Sequence, residues 1–150
     1  MTTNWQQLHP KDIATDGVHI VDVDKWKSGN ALDNLPRTIF SDIDGTLLKH
    51  WGSIEKILEN PPEVLPGVKD KLQEWNLKDY KIILTTGRRE SMRDFTIAQL
   101  KECGISYDLL IMGCRRGTRV VINDRKPDSL EDTAKGITLE RNKGMEGLEI

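Results

Sequence analysis

Apolar residues in this chain fall into two kinds of block. Short, mostly apolar runs lie at residues 38–41, where the run is also β-branched, from Lys81 to the hydroxyls before Gly87, and at 107–112, 119–124 and 136–139. Runs of this length without polar alternation predict strands covered on both faces, as in a parallel sheet. Between them the spacing changes. Val68, Leu72 and Trp75 recur at helical intervals over 68–78, and Met92, Phe95, Leu100 and Cys103 share one side of a helix over 89–103 that Gly104 can stop. Residues 128–132 predict a further short helix. Strands alternating with helices predict an α/β fold: a three-layer, Rossmann-like parallel sheet of about five strands flanked by helices. Residues 1–36 are mostly polar, with one short strand predicted at about 18–23. They read as an N-terminal extension, packed through Trp5 and Trp26 on the body or on a second subunit, ahead of a domain over 37–150.

The chemistry gathers where these runs end. Thr38-Ile-Phe-Ser-Asp-Ile-Asp-Gly-Thr-Leu-Leu48 stops abruptly at two carboxylates, Asp42 and Asp44, followed by Gly45. Carboxylates this close repel, so a hard cation such as Mg²⁺ or a shared proton must compensate, unless both merely cap backbone amides in a turn. Val18-His-Ile-Val-Asp-Val-Asp-Lys25 repeats the acids without the Gly-Thr. Lys81-Ile-Ile-Leu-Thr-Thr-Gly-Arg-Arg89 ends in hydroxyls and basic residues, and residues 119–124 end in Asp124. Right-handed crossovers bring the carboxyl ends of parallel strands to one edge, so Asp42, Thr86, Arg115, Arg116, Asp124 and Lys126 should converge there. Arg119 starts its strand, about 16 Å from Asp124, and reads as structural.

Composition narrows the classes. The chain has 150 residues, 37% hydrophobic and 31% charged, enough for one core without staples. No apolar stretch is long enough for a membrane span, and the polar start is no secretory signal, which predicts a cytoplasmic protein. Cys103 and Cys114 lack metal-type spacing and read as reduced thiols. A net charge of −2 argues against a general nucleic-acid binder, although Arg88, Arg89, Arg115, Arg116, Arg125 and Lys126 all follow strand ends and could draw in an anion.

Phe40-Ser-Asp-Ile-Asp-Gly-Thr-Leu-Leu48 resembles the first motif of the haloacid dehalogenase-like (HAD) phosphohydrolases. The resemblance implies that Asp42 attacks phosphorus and Asp44 serves as acid and base. Thr86 and Gly87 in Leu84-Thr-Thr-Gly-Arg88 match the second motif, whose hydroxyl holds the phosphoryl group, with Thr85 the alternative register. Asp124 in Val121-Ile-Asn-Asp124 resembles the fourth, implying a Mg²⁺ site made by Asp42, the Asp44 carbonyl and Asp124. Asp128 either completes that acid pair or caps a helix. The cation that neutralises the phosphoryl group is Arg116, Lys126 or Arg115, in that order of preference. An acid at position 44 is a feature of the family's phosphatases.

Too few residues separate Thr46 from Thr86, or Gly87 from Arg115, for an inserted cap domain. The resemblance, over about 37–141, therefore implies a capless phosphatase with an open site and an aspartyl-phosphate intermediate. Residues 117–127 look like a stretch of small HAD proteins of surface-sugar synthesis, which points to a sugar phosphate or similar small phosphorylated metabolite as partner and leaves a homo-oligomer open. Two rivals stand beside this: a polynucleotide-end phosphatase, and a non-catalytic HAD-like module that binds phosphorylated ligands. Residues 47–52 predict a small flap, in which His50 is a surface histidine or, with Trp51, a substrate contact.

Overall fold

A computed structural model describes residues 35–150. These form two compact units, residue 35 with 121–135 and residues 36–120 with 136–150. The strand expected at 18–23 lies outside the described residues.

The larger unit is built on a parallel sheet of three strands, β1 (Thr38–Asp42), β2 (Lys81–Thr85) and β3 (Leu109–Ile111), in the order β1-β2-β3. The register pairs Phe40 with Ile83 and Ile83 with Leu109, and Asp42 with Thr85 and Thr85 with Ile111. β1 leads through α1 (Ile54–Glu59) and α2 (Val68–Leu77) to β2, and β2 leads through a 3₁₀ turn (Glu90–Met92) and α3 (Arg93–Glu102) to β3.

Both long helices end as their sequences direct. After α3, Gly104 takes a left-handed φ of 67°, its amide reaches the Lys101 carbonyl and the Ile105 amide reaches Leu100. This pattern satisfies the orphan carbonyls of the last turn. After α2, Asp79 takes the same role at φ 58°, with Asp79 and Tyr80 amides bonded to Asn76 and Trp75. α1 was not foreseen. Ser53 caps it by accepting from the Lys56 amide, Ile57 buries its one apolar anchor, and Pro61 ends it.

Ile82, Leu84 and Leu110 share a core with Leu72 and Trp75 of α2 and with Leu100 of α3. Both helices thus cover the same face, as successive right-handed crossovers in one direction require. The opposite face carries Phe40 and Leu109, about half exposed, and no described helix lies on it.

Strands expected at 119–124 and 136–139 are not formed, so three of the five expected strands are present among the described residues. Val120, Val121 and Ile122 are 76%, 57% and 92% exposed. β-branched character favours a strand only where a ladder and a covered face receive it, and neither receives this run. Residues 128–132 also carry no helix. No helix among the described residues is long and apolar enough to cross a membrane.

Residues 140–150 return to the larger unit. Met145 is buried in the core and its amide donates to the Pro66 carbonyl, while Gly144 (φ 83°) lies so close that an added Cβ would stand 2.1 Å from the Pro66 oxygen. Gly147 has a similar φ of 70° and open space around it. Gly147→Ala should therefore cost only about 1 kcal/mol of backbone strain. Gly144→Ala must also push the two segments apart and should cost at least about 2 kcal/mol, read from urea unfolding of both variants.

Candidate active site

Asp42 is the last residue of β1 and stands in register with Thr85, so the acid and the Thr85-Thr86 hydroxyls reach the same sheet edge. The chain then turns. Amides of Thr46, Leu47 and Leu48 all point to the Ile43 carbonyl, the Gly45 amide bonds Leu48, and Gly45 takes φ 91°. Ile43, Leu47 and Leu48 are buried, which pins the acidic turn to the core on both sides. Leu48 also bridges to Val64, and the flap beyond it is tied down. The His50 Nδ1 accepts from the Gly52 amide at 2.9 Å, and Lys49 Nζ lies 4.2 Å from the Trp51 ring centre.

The two carboxylates are treated differently. Asp44 is gripped by Arg88: Nε donates to Oδ2 at 2.8 Å and Nη2 to Oδ1 at 2.7 Å. Arg88 is 4% exposed, and its Nη1 donates to Thr96 Oγ1 at 3.1 Å and Gln99 Oε1 at 2.7 Å on α3. Its backbone amide donates to Thr86 Oγ1 at 3.1 Å. Asp42 has no such fork. Its Oδ2 accepts from Thr46 Oγ1 at 3.2 Å. Burial pushes its carboxyl above the ordinary value and the Asp44 charge adds to this, against the lowering by Thr46, the Ile43 amide and Arg119.

Thr86 is 1% exposed, and its backbone pairs with both sides of the β3 end: its amide donates to Ile111 and its carbonyl accepts from Cys114. Gly113 likewise donates to the Arg88 carbonyl. The Thr86-Gly87-Arg88 turn and the start of the 114–119 loop therefore lie side by side. Arg115 and Arg116 are exposed on that loop, and Arg119 Nη1 donates to the carbonyls of Arg115 and Gly117 at 2.6 and 2.9 Å. Arg119 thus holds its own loop together, and its charge is the weakest of the influences on the Asp42 carboxyl. The strand expected to begin at Arg119 is not formed.

Asp124 and Lys126 belong to the smaller unit. There Lys126 Nζ contacts both Asp124 oxygens at 2.9 Å and holds that carboxyl below its usual range. Asn123 Oδ1 accepts from the Asp124 amide, and Thr133 Oγ1 donates to the Asp124 carbonyl. Among the described residues no group of three His, Cys, Asp or Glu side chains is placed to hold a metal. A depression of about 410 Å³, lined by Lys69, Leu72 and Ser106 among others, lies at the opposite, amino-terminal end of β3 and gathers no catalytic side chains.

Residues 39–132, more than half of the chain, match the family described as haloacid dehalogenase-like hydrolase. The chain belongs to the haloacid dehalogenase-like hydrolases. Comparison with curated proteins and with solved structures gives no match. In this HAD-like hydrolase, sequence reasoning missed three contributors. In the sequence Arg88 is one of several basic residues past strand ends, and nothing local marks it as the partner of Asp44. Arg141 and Asn142 come from a segment with no motif. Asn142 bonds the Gly45 carbonyl through its amide and holds His50 through its side chain, and the Arg141 side chain lies on Gly45.

Two outcomes follow. Replacing Arg88 with Met strands a partly buried carboxylate and the buried acceptors on α3, and should cost about 3 kcal/mol in urea unfolding, with part recovered in the double variant Arg88→Met/Asp44→Asn. The Asp42 carboxyl is raised in the folded state, so its contribution to stability is full below the unfolded value near 3.8 and is lost as pH rises through the folded value. Asp42→Asn should accordingly unfold a few degrees above wild type near neutral pH in chelator, and no higher below about pH 3.8, by thermal scans across pH.

Proposed function

We propose that this chain is a phosphatase that cleaves phosphate monoesters through an aspartyl-phosphate on Asp42, with a small phosphorylated metabolite, a sugar phosphate, as substrate. The observation that carries this is the division between the two acids. One carboxylate is left half-buried and without a cationic fork, and its neighbour is fixed by a buried arginine. Environments that separate two adjacent carboxylates are how acid–base and nucleophilic roles are divided.

In this reading an Asp42 oxygen attacks phosphorus as the bond to the leaving alcohol breaks, and Asp44 gives that alcohol its proton. Water then attacks the acyl phosphate, Asp44 takes its proton, and phosphate leaves with Asp42 restored. The Arg88 fork sets the Asp44 orientation without blocking it, since each carboxylate oxygen keeps a second lone pair. Thr86, whose hydroxyl accepts from the Arg88 amide, would hold the phosphoryl group together with Gly87. Among the loop cations, Arg116, ahead of Lys126 and Arg115, is assigned the neutralising role on the sequence resemblance.

The donors also suit Mg²⁺, a hard cation that prefers oxygen, because the half-buried Asp42 carboxyl lies beside a second acid and lacks a full counter-charge. Asp42 and the Asp44 carbonyl would hold it. The role of Asp124 there is carried by the sequence resemblance. When bound, the ion would offset the repulsion between the carboxylate and the incoming phosphate. The acidic chain weighs against a polynucleotide substrate, and retention of both Asp42 and Asp44 against a non-catalytic module.

Phosphate release from an aryl phosphate with Mg²⁺ should fall at least about a thousandfold in Asp42→Asn and vanish with chelator. Equal rates in wild type and Asp42→Asn would exclude the nucleophile assigned here.

A further inference from the structure

Two polar side chains interrupt the buried stripe of α3. Thr96 and Gln99 stand one turn apart on the side of the helix that buries Leu100, and both are themselves buried. A hydroxyl and an amide in such positions lose their water, so each needs a partner inside the protein. The partner is the same for both. Arg88 Nη1 donates to Thr96 Oγ1 at 3.1 Å and to Gln99 Oε1 at 2.7 Å. Neither residue belongs to the acidic turn or to a strand end, and neither stands in a sequence motif.

What these two acceptors hold is one edge of a guanidinium whose other edge grips Asp44. Nε and Nη2 carry the fork to Asp44 Oδ2 and Oδ1, at 2.8 and 2.7 Å. A guanidinium is planar and its donors keep fixed directions, so anchoring Nη1 also fixes where Nε and Nη2 point. The stem behind it is long and rotatable. With Nη1 unbonded the fork is free to swing to a single contact, and the Asp44 carboxyl turns with it. A group that donates a proton to a departing oxygen works by alignment, and a shift of about 1 Å is enough to lose most of its effect.

We propose that Gln99, supported by Thr96, is a positioning residue for proton transfer from Asp44 to the leaving alcohol, acting through Arg88. This rests on the phosphatase reading, with Asp44 as its acid. In the step served, an Asp42 oxygen bonds phosphorus while the ester oxygen departs with the electrons of its bond and takes the Asp44 proton. A weakly acidic alcohol depends on that proton, whereas a nitrophenolate leaves well without it. Gln99 therefore governs how steeply the rate depends on the leaving group.

The test is kcat/KM, with Mg²⁺, for nitrophenyl phosphate and phenyl phosphate in wild type, Gln99→Met, Gln99→Glu and Thr96→Val. This ratio reports the steps through departure of the first alcohol, so slow hydrolysis of the aspartyl-phosphate does not mask the effect. Gln99→Met removes the acceptor with little change of volume. It should lose about tenfold or more on phenyl phosphate and stay within about threefold on nitrophenyl phosphate. Gln99→Glu keeps an acceptor at the same reach and should recover most of the loss. Thermal scans report whether each variant folds; where Gln99→Met does not, Thr96→Val, which takes away the other acceptor, carries the same expectation. Equal losses on both esters in Gln99→Met, or a Gln99→Glu as impaired on phenyl phosphate as Gln99→Met, overturns the assignment and leaves the phosphatase standing. No turnover of either ester by wild type overturns the phosphatase reading, and this one with it.

Discussion

A buried guanidinium needs acceptors for its donors, and that of Arg88 finds them on two parts of the larger unit while its backbone meets two more. Its fork meets Asp44 in the turn after β1, Nη1 meets Thr96 and Gln99 on α3, its amide meets the Thr86 hydroxyl, and its carbonyl accepts from Gly113 after β3. Charged hydrogen bonds in a low-dielectric setting are strongly directional, and each is costly to leave unmade. The side chain therefore fixes the turn after β1 relative to α3, and the backbone of the same residue ties the ends of β2 and β3 together. The site's geometry is a consequence of that charge balance rather than of the apolar core alone.

The same arrangement leaves Asp42 undercompensated. Arg88 is committed to Asp44, and the remaining donors to Asp42, led by Thr46, do not offset the cost of burial and of the neighbouring acid. A carboxylate held at this disadvantage opposes folding when ionised. Stability given up at one position for chemistry is a common trade in enzymes. Here the rigid Arg88 network supplies the frame within which a strained charge can be held.

Packing is equally one-sided. Two crossovers in one direction put α2 and α3 on the face of Ile82 and Leu84, and the C-terminal segment closes the same core through Met145. That closure also steadies the acidic turn, because Asn142 ties His50 to Gly45 from outside while Ile43, Leu47 and Leu48 tie it from within. The acidic turn is thus clamped between the core and a segment distant in the chain.

Local chemistry made much of this legible beforehand. Short, mostly apolar runs placed β1, β2 and β3 within a few residues, helical spacing placed α2 and α3, and Gly104 ended α3 as glycine does where φ must be positive. The Asp-x-Asp-Gly-Thr turn and the family followed from adjacent residues alone. The run 119–124 did not become a strand, because being apolar and β-branched cannot supply a neighbour to pair with. The Arg88–Asp44 fork spans 44 residues and the Asn142 clamp 92. Neither has a local signature, since a charge or an amide reads as solvated until folding sets its partner beside it. Spacing along the chain could name the acids at the end of β1; which cation serves which acid depended on contacts between segments that are remote in sequence.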